Sequence, residues 1–170
     1  MKNLKKLLAG IAGVATATAA FGGANESASL SATIDAGALE IVASSLSGTY
    51  SPVGGAVTIT GAEQADALVF NIDGITVDDL DGNGSGWVLS ATPAANLTDG
   101  SNNLPLGTTA GFNNPSDSGN TTIDSANQIT YGSGTGIEGY TVDYDVAYTV
   151  PAYTDAGSYT GVVAFAITSL

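Results

Sequence analysis

A run of strict alternation between Tyr140 and Val150 constrains the fold of this chain more than any other feature. Tyrosine or valine occupies every second position of the run, and Thr, Asp or Ala occupies the positions between. Because successive side chains of a strand point to opposite faces, the run predicts a strand with one apolar face and one mostly wet face. Such a strand would be about 36 Å long. Pro151 should end it, because proline has no backbone N–H for a ladder.

A second alternating run follows the first closely. Its apolar or small residues are Tyr159, Gly161, Val163, Phe165 and Ile167. Together the two runs predict a long C-terminal hairpin with one buried face, which further strands must cover because an isolated hairpin is marginal in water. The chain has 170 residues, of which 44% are hydrophobic and 23 are glycine. We therefore predict one all-β domain, a single antiparallel β-sandwich of the Ig-like or Greek-key type.

The remaining strands are predicted from shorter runs. Ala67 to Asp78 is the strongest, and its apolar residues change parity at Gly74, which indicates a glycine bulge. Further strands are expected at Ser29–Ile34, Leu39–Ala43, Ala56–Thr60, Trp87–Ala91 and Gln128–Tyr131. The stretch 99–125 shows no period, so we expect a long loop there, held to the body by Phe112.

The first 19 residues have the pattern of a secretory signal peptide. Three lysines precede an apolar stretch, and Ala17-Thr18-Ala19 offers a small-x-small cleavage site. The apolar stretch is short for a membrane span. We therefore expect residues 1–19 to be removed, residues 20–170 to form the domain, and the mature protein to be extracellular, at the cell surface or wall, with no membrane span.

The charge of the expected mature chain excludes several classes of function. The three lysines are the only basic residues, against 16 Asp and Glu, and the chain has no His and no Cys. Nucleic acids and anionic membranes are not expected partners, because both need cationic groups on the protein. Asp143 and Asp145 share one strand face, but the expected mature chain has no His, Cys, Lys or Arg, and a serine nucleophile would have no evident base. We expect the protein not to be an enzyme.

Two regions carry a resemblance to a known family. The first is Gly86-Trp87-Val88-Leu89, followed by Leu97-Thr98-Asp99-Gly100, and the second is Tyr148 to Ala152, followed by Ala156 to Gly161. They resemble the motif regions of the WxL-domain family of bacterial surface proteins. Trp87 and Leu89 match the first Trp-x-Leu motif. Phe165 and Ile167 stand at the second, where the tryptophan is lost.

The resemblance implies a β-sandwich displayed outside the cell and held non-covalently to the peptidoglycan wall, often beside other surface proteins. It makes Trp87, Leu89, Phe165 and Ile167 the candidate binding residues. The residues themselves leave a second interpretation open, because a lone Trp that alternates with Leu in a strand is more often part of a core than of a ligand surface.

An acidic turn before Trp87 suggests a metal site. Asp79, Asp81, Asn83 and Ser85 place oxygen side chains at alternate positions, as in the first half of a calcium loop. Ser90 stands where an EF-hand has its bidentate Glu, so an EF-hand is not expected. A looser Ca²⁺ site and a plain Asp/Asn/Gly turn both remain open.

Two alternatives to wall association follow from the same sequence. One is a subunit of an extracellular filament, built by self-association in which Ala20 to Ile34 completes the sheet of a neighbouring copy. The other is a calcium-dependent carbohydrate-binding module, which requires metal at Asp79 and Asp81 and an exposed aromatic platform.

Overall fold

The computed structural model of the protein describes residues 37–46, 50–81, 83–132 and 137–170, without the side chains of residues 137 and 138. The strands are β1 (Leu39–Ile41), β2 (Gln64–Asp79), β3 (Trp87–Pro93), β4 (Asn96–Thr98), β5 (Asn103–Asn113), β6 (Thr121–Ser125), β7 (Gln128–Tyr131), β8 (Ile137–Val150) and β9 (Val163–Ser169). A short 3-10 helix, Ala43–Leu46, follows β1. The predicted signal peptide and the predicted strand Ser29–Ile34 lie outside the described residues.

The strands form two antiparallel sheets around one core. The first sheet has the order β1-β2-β8-β5-β4, and the second has the order β6-β7-β3-β9. The chain passes from one sheet to the other after β2, β3, β5, β7 and β8. Side chains from the facing surfaces of both sheets make up the hydrophobic core. The predicted all-β antiparallel sandwich is confirmed.

Strand β8 is the centre of the first sheet, as its alternation predicts. It pairs with β2 on one side and with β5 on the other. Its inward residues are at most 4% exposed: Tyr140, Val142, Tyr144, Val146, Tyr148 and Val150. The opposite face is drier than predicted, because Asp143 and Asp145 are half-buried and Ala147 is fully buried. Pro151 follows the last residue of the strand.

The predicted C-terminal hairpin is wrong. Strands β8 and β9 lie in different sheets, and β9 pairs with β3, where Ile167 stands opposite Leu89. Both edges of β8 are already occupied by the long strands β2 and β5. Alternation therefore identified two strands correctly, but it contained no information on which strand each would pair with.

The predicted long loop at 99–125 is also wrong, because it contains β5 and β6. In β5 the register shifts between Leu106 and Ala110, and this irregularity hides the period. Phe112 is buried, with its ring centroid 5.0 Å from that of Tyr144, so its predicted contact with the body is confirmed. The predicted strand Ala56–Thr60 is wrong as well, because these residues form no ladder.

The predicted bulge in β2 is confirmed. The register against β8 shifts between Ile72 and Ile75, and Gly74 has a φ of 70°. This left-handed backbone conformation is accessible to glycine at little cost. The bulge lets Ile72 and Ile75 both face the core although their positions differ in parity.

Candidate functional site

Trp87 and Leu89 lie inside the core, with no exposed surface. The Trp87 ring stacks on Tyr131 at a centroid distance of 5.2 Å and meets Tyr140 edge-on at 4.9 Å. The indole N–H of Trp87 has no hydrogen-bond partner among the described residues. Of the two interpretations that the sequence left open, the position of both residues supports core packing. A bound ligand would not touch either of them.

The structure brings all four motif residues together on one inner surface. Strands β3 and β9 are neighbours, so that Leu89 pairs with Ile167 and Ala91 with Phe165. Phe165 and Ile167 are half-buried, and the Phe165 ring lies edge-on to Tyr144 at 5.6 Å. The Trp-x-Leu-like positions therefore build the contact between the two sheets. A binding role for these four residues stays a prediction. As parts of the core they would act by holding the strands that carry a binding surface.

The acidic turn is closed by its own hydrogen bonds. The carboxylate of Asp81 accepts from the backbone N–H of Asn83 at 3.0 Å and from its side-chain amide at 2.7 Å. Asn83 Oδ1 accepts from the backbone N–H of Ser85 at 2.8 Å. Asp79 is buried, and burial, with the charge of Asp81 adding to it, raises the pKa of its carboxyl group. These contacts are those of an Asp/Asn/Gly turn.

No group of three or more His, Cys, Asp or Glu residues is arranged to hold a metal ion within the described ranges. Asp78, a further candidate ligand by its position, accepts from the backbone N–H of Gly139 at 2.7 Å instead. The Ca²⁺ interpretation therefore rests on the sequence pattern alone and stays a prediction.

The carboxylates on the outer face of β8 are each bound to neutral donors. Asp143 accepts from the backbone N–H of Gly74 at 2.8 Å and from the Asn114 amide at 3.0 Å. Asp145 accepts from the Asn113 amide at 2.9 Å, and burial raises the pKa of its carboxyl group. The two carboxylates thus serve different local contacts, and each holds β8 to an adjacent strand or loop.

An exposed aromatic residue, Tyr153, was missed by sequence reasoning. Its side chain is 82% exposed, and its backbone adopts a left-handed φ of 61°. It belongs to the connection between β8 and β9, which we call the tyrosine loop, residues 151–162. The tyrosine stands outside both alternating runs, directly after Pro151 and Ala152. Its position outside the runs could have predicted its exposure, because an aromatic residue in a polar connection belongs to no apolar strand face.

A polar cluster joins this loop to the turn between β4 and β5. The side-chain amide of Asn102 donates to Asp99 Oδ2 at 3.2 Å and to Asp155 Oδ2 at 3.3 Å. The hydroxyl of Tyr159 donates to the carbonyl oxygen of Asp155 at 2.8 Å. The backbone N–H groups of Ser101 and Asn102 hold the other oxygen of Asp99, and these bonds lower the pKa of its carboxyl group. The cluster therefore presents fixed carboxylates and amides at the surface.

A cleft of about 1050 Å³ opens beside this loop. Its floor is the inner face of β2 and β8, including Leu68, Phe70 and Tyr148. One wall comes from the irregular segment 50–59, and the other comes from the tyrosine loop and Phe165. Among the described residues β9 is the last strand of the second sheet, so no strand of that sheet covers this part of β2.

Comparisons of the chain with protein-family models, with curated proteins and with solved structures find no match. The resemblance to WxL domains thus remains a prediction from the residues quoted for it. In the described part of the chain, no helix has the length and hydropathy that a membrane crossing requires.

Proposed function

We propose that the protein is a non-enzymatic, exported protein of the cell surface that associates non-covalently with the peptidoglycan wall. We further propose that Tyr153 is its principal contact with wall glycan. The observation that carries this proposal is the 82% exposed Tyr153, two residues before Asp155, whose carboxylate accepts from the Asn102 amide.

The surface fits the chemistry of a sugar. A tyrosine ring offers a flat apolar face to the C–H side of a pyranose, while its hydroxyl remains in water. Carboxylate and amide oxygens accept hydrogen bonds from sugar hydroxyl groups, and they fix the orientation of a ligand. Both kinds of group occur on the tyrosine loop, at Tyr153 and at Asp155.

Charge favours a neutral glycan over the anionic polymers of a wall. The chain has a net charge of −13, and its three basic residues all lie within the predicted signal peptide. An acidic surface without cations repels phosphate-rich polymers. We therefore expect binding to the sugar strands of peptidoglycan, and we expect it to persist when anionic polymers are stripped from the wall.

The test is co-sedimentation of residues 20–170 with purified, polymer-stripped peptidoglycan. The Tyr153→Ala variant should bind about 10-fold more weakly, a loss of about 1.4 kcal/mol. Ile123→Ala is the matched control, because Ile123 is another exposed apolar residue, 52% exposed on β6, and its loss should leave binding unchanged.

Wild-type protein that stays in the supernatant would contradict wall association. Wild-type binding that is equal in Tyr153→Ala would contradict the assigned contact. A parallel set of tubes with a calcium chelator addresses the carbohydrate-binding alternative. Binding abolished by the chelator in both wild type and Ile123→Ala would favour the calcium-dependent module.

A further inference from the structure

Strand β9 is an edge of the second sheet, and β1 of the first sheet approaches it without pairing with it. The backbone N–H of Ala94 donates to Val162 O at 2.8 Å, and that of Leu170 donates to Gly86 O at 3.0 Å. The backbone N–H and C=O groups of even-numbered residues of β9 therefore point towards β3, because these groups alternate in direction along a strand. The N–H and C=O groups of Val163, Phe165, Ile167 and Ser169 face away from β3, and no strand pairs with them among the described residues.

This edge lacks the protection that the other three edge strands have. Strand β1 has three residues and includes Glu40, β4 has only three residues, and β6 carries Asp124. Strand β9 has seven residues, Val-Ala-Phe-Ala-Ile-Thr-Ser, with no charge and no proline. Natural sheets usually blunt an exposed edge with short strands, charges or proline, so an unblunted edge is suited to accept another strand.

The apolar cleft continues from this edge. Val163 and Phe165 of β9 line it, and its floor is formed by Leu68 and Phe70. Among the described residues that line the cleft, Asp155 alone is charged. In a chain with a net charge of −13, the edge and the cleft together form a surface that is nearly free of charge. Such a surface favours an uncharged, extended, alternating segment as its occupant.

We propose that the β9 edge and the cleft form a strand acceptor for residues 27–34 of a second copy of this chain. That segment reads Ser-Ala-Ser-Leu-Ser-Ala-Thr-Ile, with Leu30 and Ile34 on one parity and no charge. Its backbone would extend the second sheet beyond β9, and Leu30 and Ile34 would enter the cleft. This inference goes beyond wall association and does not depend on it.

Strand direction favours a second copy as the source of the segment. Gly37, just after the segment, donates its backbone N–H to Leu80 O at 2.6 Å. This is also the end of the molecule where β9 finishes, because the Asn83 amide donates to Ser169 Oγ at 2.6 Å. A segment leading into Gly37 along its own β9 would run parallel to it. Every ladder among the described residues is antiparallel. Another molecule can supply residues 27–34 antiparallel to β9 without a reversal of the chain before Gly37.

The positions of donor and acceptor predict an open assembly. Gly37, three residues after the donor segment, lies beside Leu80, whereas the cleft floor includes Leu68 near the other end of β2. Leu68 and the end of β2 at Asp79 are eleven residues apart along the strand, a separation of roughly 35 Å. Contacts between different surfaces at opposite ends of a subunit are head-to-tail, and they extend without closing into a symmetric dimer. We therefore expect filaments rather than dimers.

The donor is tested with two substitutions that add the same charge. Residues 20–170 should form fibres that lengthen with concentration, measured by light scattering and negative-stain microscopy. Leu30→Asp should remain monomeric, while Ser31→Asp, on the opposite parity, should assemble like the wild type. A wild type that is monomeric at all concentrations, or a Leu30→Asp variant that assembles normally, would overturn the proposal. The monomeric Leu30→Asp variant should still bind peptidoglycan, which separates this test from that of wall association.

The acceptor is tested on the same Leu30→Asp monomer with a synthetic peptide of residues 27–36. Bound peptide should slow hydrogen exchange of the backbone N–H groups of Val163, Phe165, Ile167 and Ser169 at least 10-fold. A control peptide with serine in place of Leu30 and Ile34 should have no effect. A peptide that fails to bind, or that protects other strands, would refute the acceptor. Protection of these amides in a monomeric wild type would show that the segment occupies its own molecule, and would refute the second copy.

Discussion

The two ends of the sandwich differ in how their aromatic residues are covered. At one end, which we call the closed half, Trp87, Tyr131 and Tyr140 are at most 2% exposed, and their ring centroids lie within 5.4 Å of one another. At the other, the open half, Tyr148 is equally buried but Phe70, whose ring centroid lies 6.0 Å from that of Tyr148, is only half-buried, and both line the cleft. Strands β2 and β8 run through both halves. The difference therefore comes from what faces them.

Regular structure in both sheets distinguishes the closed half. There β3, β7 and β9 lie opposite β2 and β8, whereas in the open half the segments 50–59 and 151–162 take that place. Tyrosine hydroxyls of β8 tie the sheets together throughout: Tyr140 to Thr121 at 3.0 Å, Tyr144 to Asn127 at 2.6 Å and Tyr148 to the carbonyl of Ala94 at 3.1 Å. Burial raises the pKa of Tyr144 to about 12 and also raises those of Tyr140 and Tyr148, so all three hydroxyl groups stay protonated well above neutral pH. The alternation within a strand thus determines which face is apolar, and the strands of the opposite sheet determine whether that face is buried from solvent.

The largest contrast should come from truncating one aromatic residue in each half. Trp87→Ala removes a fully buried indole and should cost about 3–5 kcal/mol of the free energy of unfolding, because its cavity cannot fill. Phe70→Ala removes a half-buried ring beside an existing cleft and should cost only about 1–2 kcal/mol. Urea unfolding of residues 20–170 measures both values. Equal costs would mean that the open half is as tightly packed as the closed half.

A pair of glycine substitutions should show a smaller contrast. Gly86 has a φ of 81°, and a Cβ there would lie 2.3 Å from the carbonyl oxygen of Tyr131. Gly86→Ala should therefore cost about 2–4 kcal/mol, from both strain and the clash with backbone. Gly55 lines the cleft with a φ of 83° and open space around its Cα, so Gly55→Ala should cost only about 1–2 kcal/mol. Thermal unfolding followed by circular dichroism would rank them. A milder effect at Gly86 would show that β3 can shift away from β7.

The smallest effect should come from the buried carboxyl group at the closed end. Burial, followed by the charge of Asp81, raises the pKa of Asp79, so the native state favours the protonated form. The fold loses stability as the pH rises from the unfolded pKa of about 3.9 to the higher native pKa, and the loss is complete above the native pKa and absent below the unfolded one. Asp79→Asn should thus raise the free energy of unfolding by on the order of 1 kcal/mol at pH 7.

The gain from Asp79→Asn should disappear in a second set of unfolding curves at about pH 3.5. Glu63→Gln is the control, since it removes one charge at an exposed position and should show neither the gain nor this pH dependence. An Asp79→Asn gain that is the same at both pH values would contradict the assigned cause.

Much of the first sheet followed from local sequence. Strand β8 begins close to its predicted start and ends where predicted, and the parity change at Gly74 located the bulge in β2. These features depend only on which face each side chain occupies. The partner of β9 was not predictable, since an alternating strand has the same pattern whichever strand lies beside it. Strand β5 was missed because its irregular register, with Thr and Gly between Leu106 and Ala110, removed the period.

The candidate surfaces were harder to predict than the core. Trp87 attracted attention as the only tryptophan, yet it is sealed inside the core. Tyr153 owes its exposure to a left-handed backbone in a connection, and no periodic pattern reports on such a position. The cleft arises from a difference in the extent of the two sheets, which is a property of their topology. Side-chain patterns describe single strands, whereas a surface depends on how several strands are assembled.

The hydrogen-bonded carboxylates have a consequence for how the fold responds to dissolved ions. Asp66, for example, is held by the backbone N–H of Thr108 at 2.8 Å and by the hydroxyls of Thr108 and Thr109. None of the described residues is Lys, Arg or His, so this part of the chain has no side-chain ion pairs for salt to weaken. Mobile ions screen only the mutual repulsion of the acidic groups. We therefore expect the free energy of unfolding of this domain to rise with ionic strength and to be lowest in dilute solution.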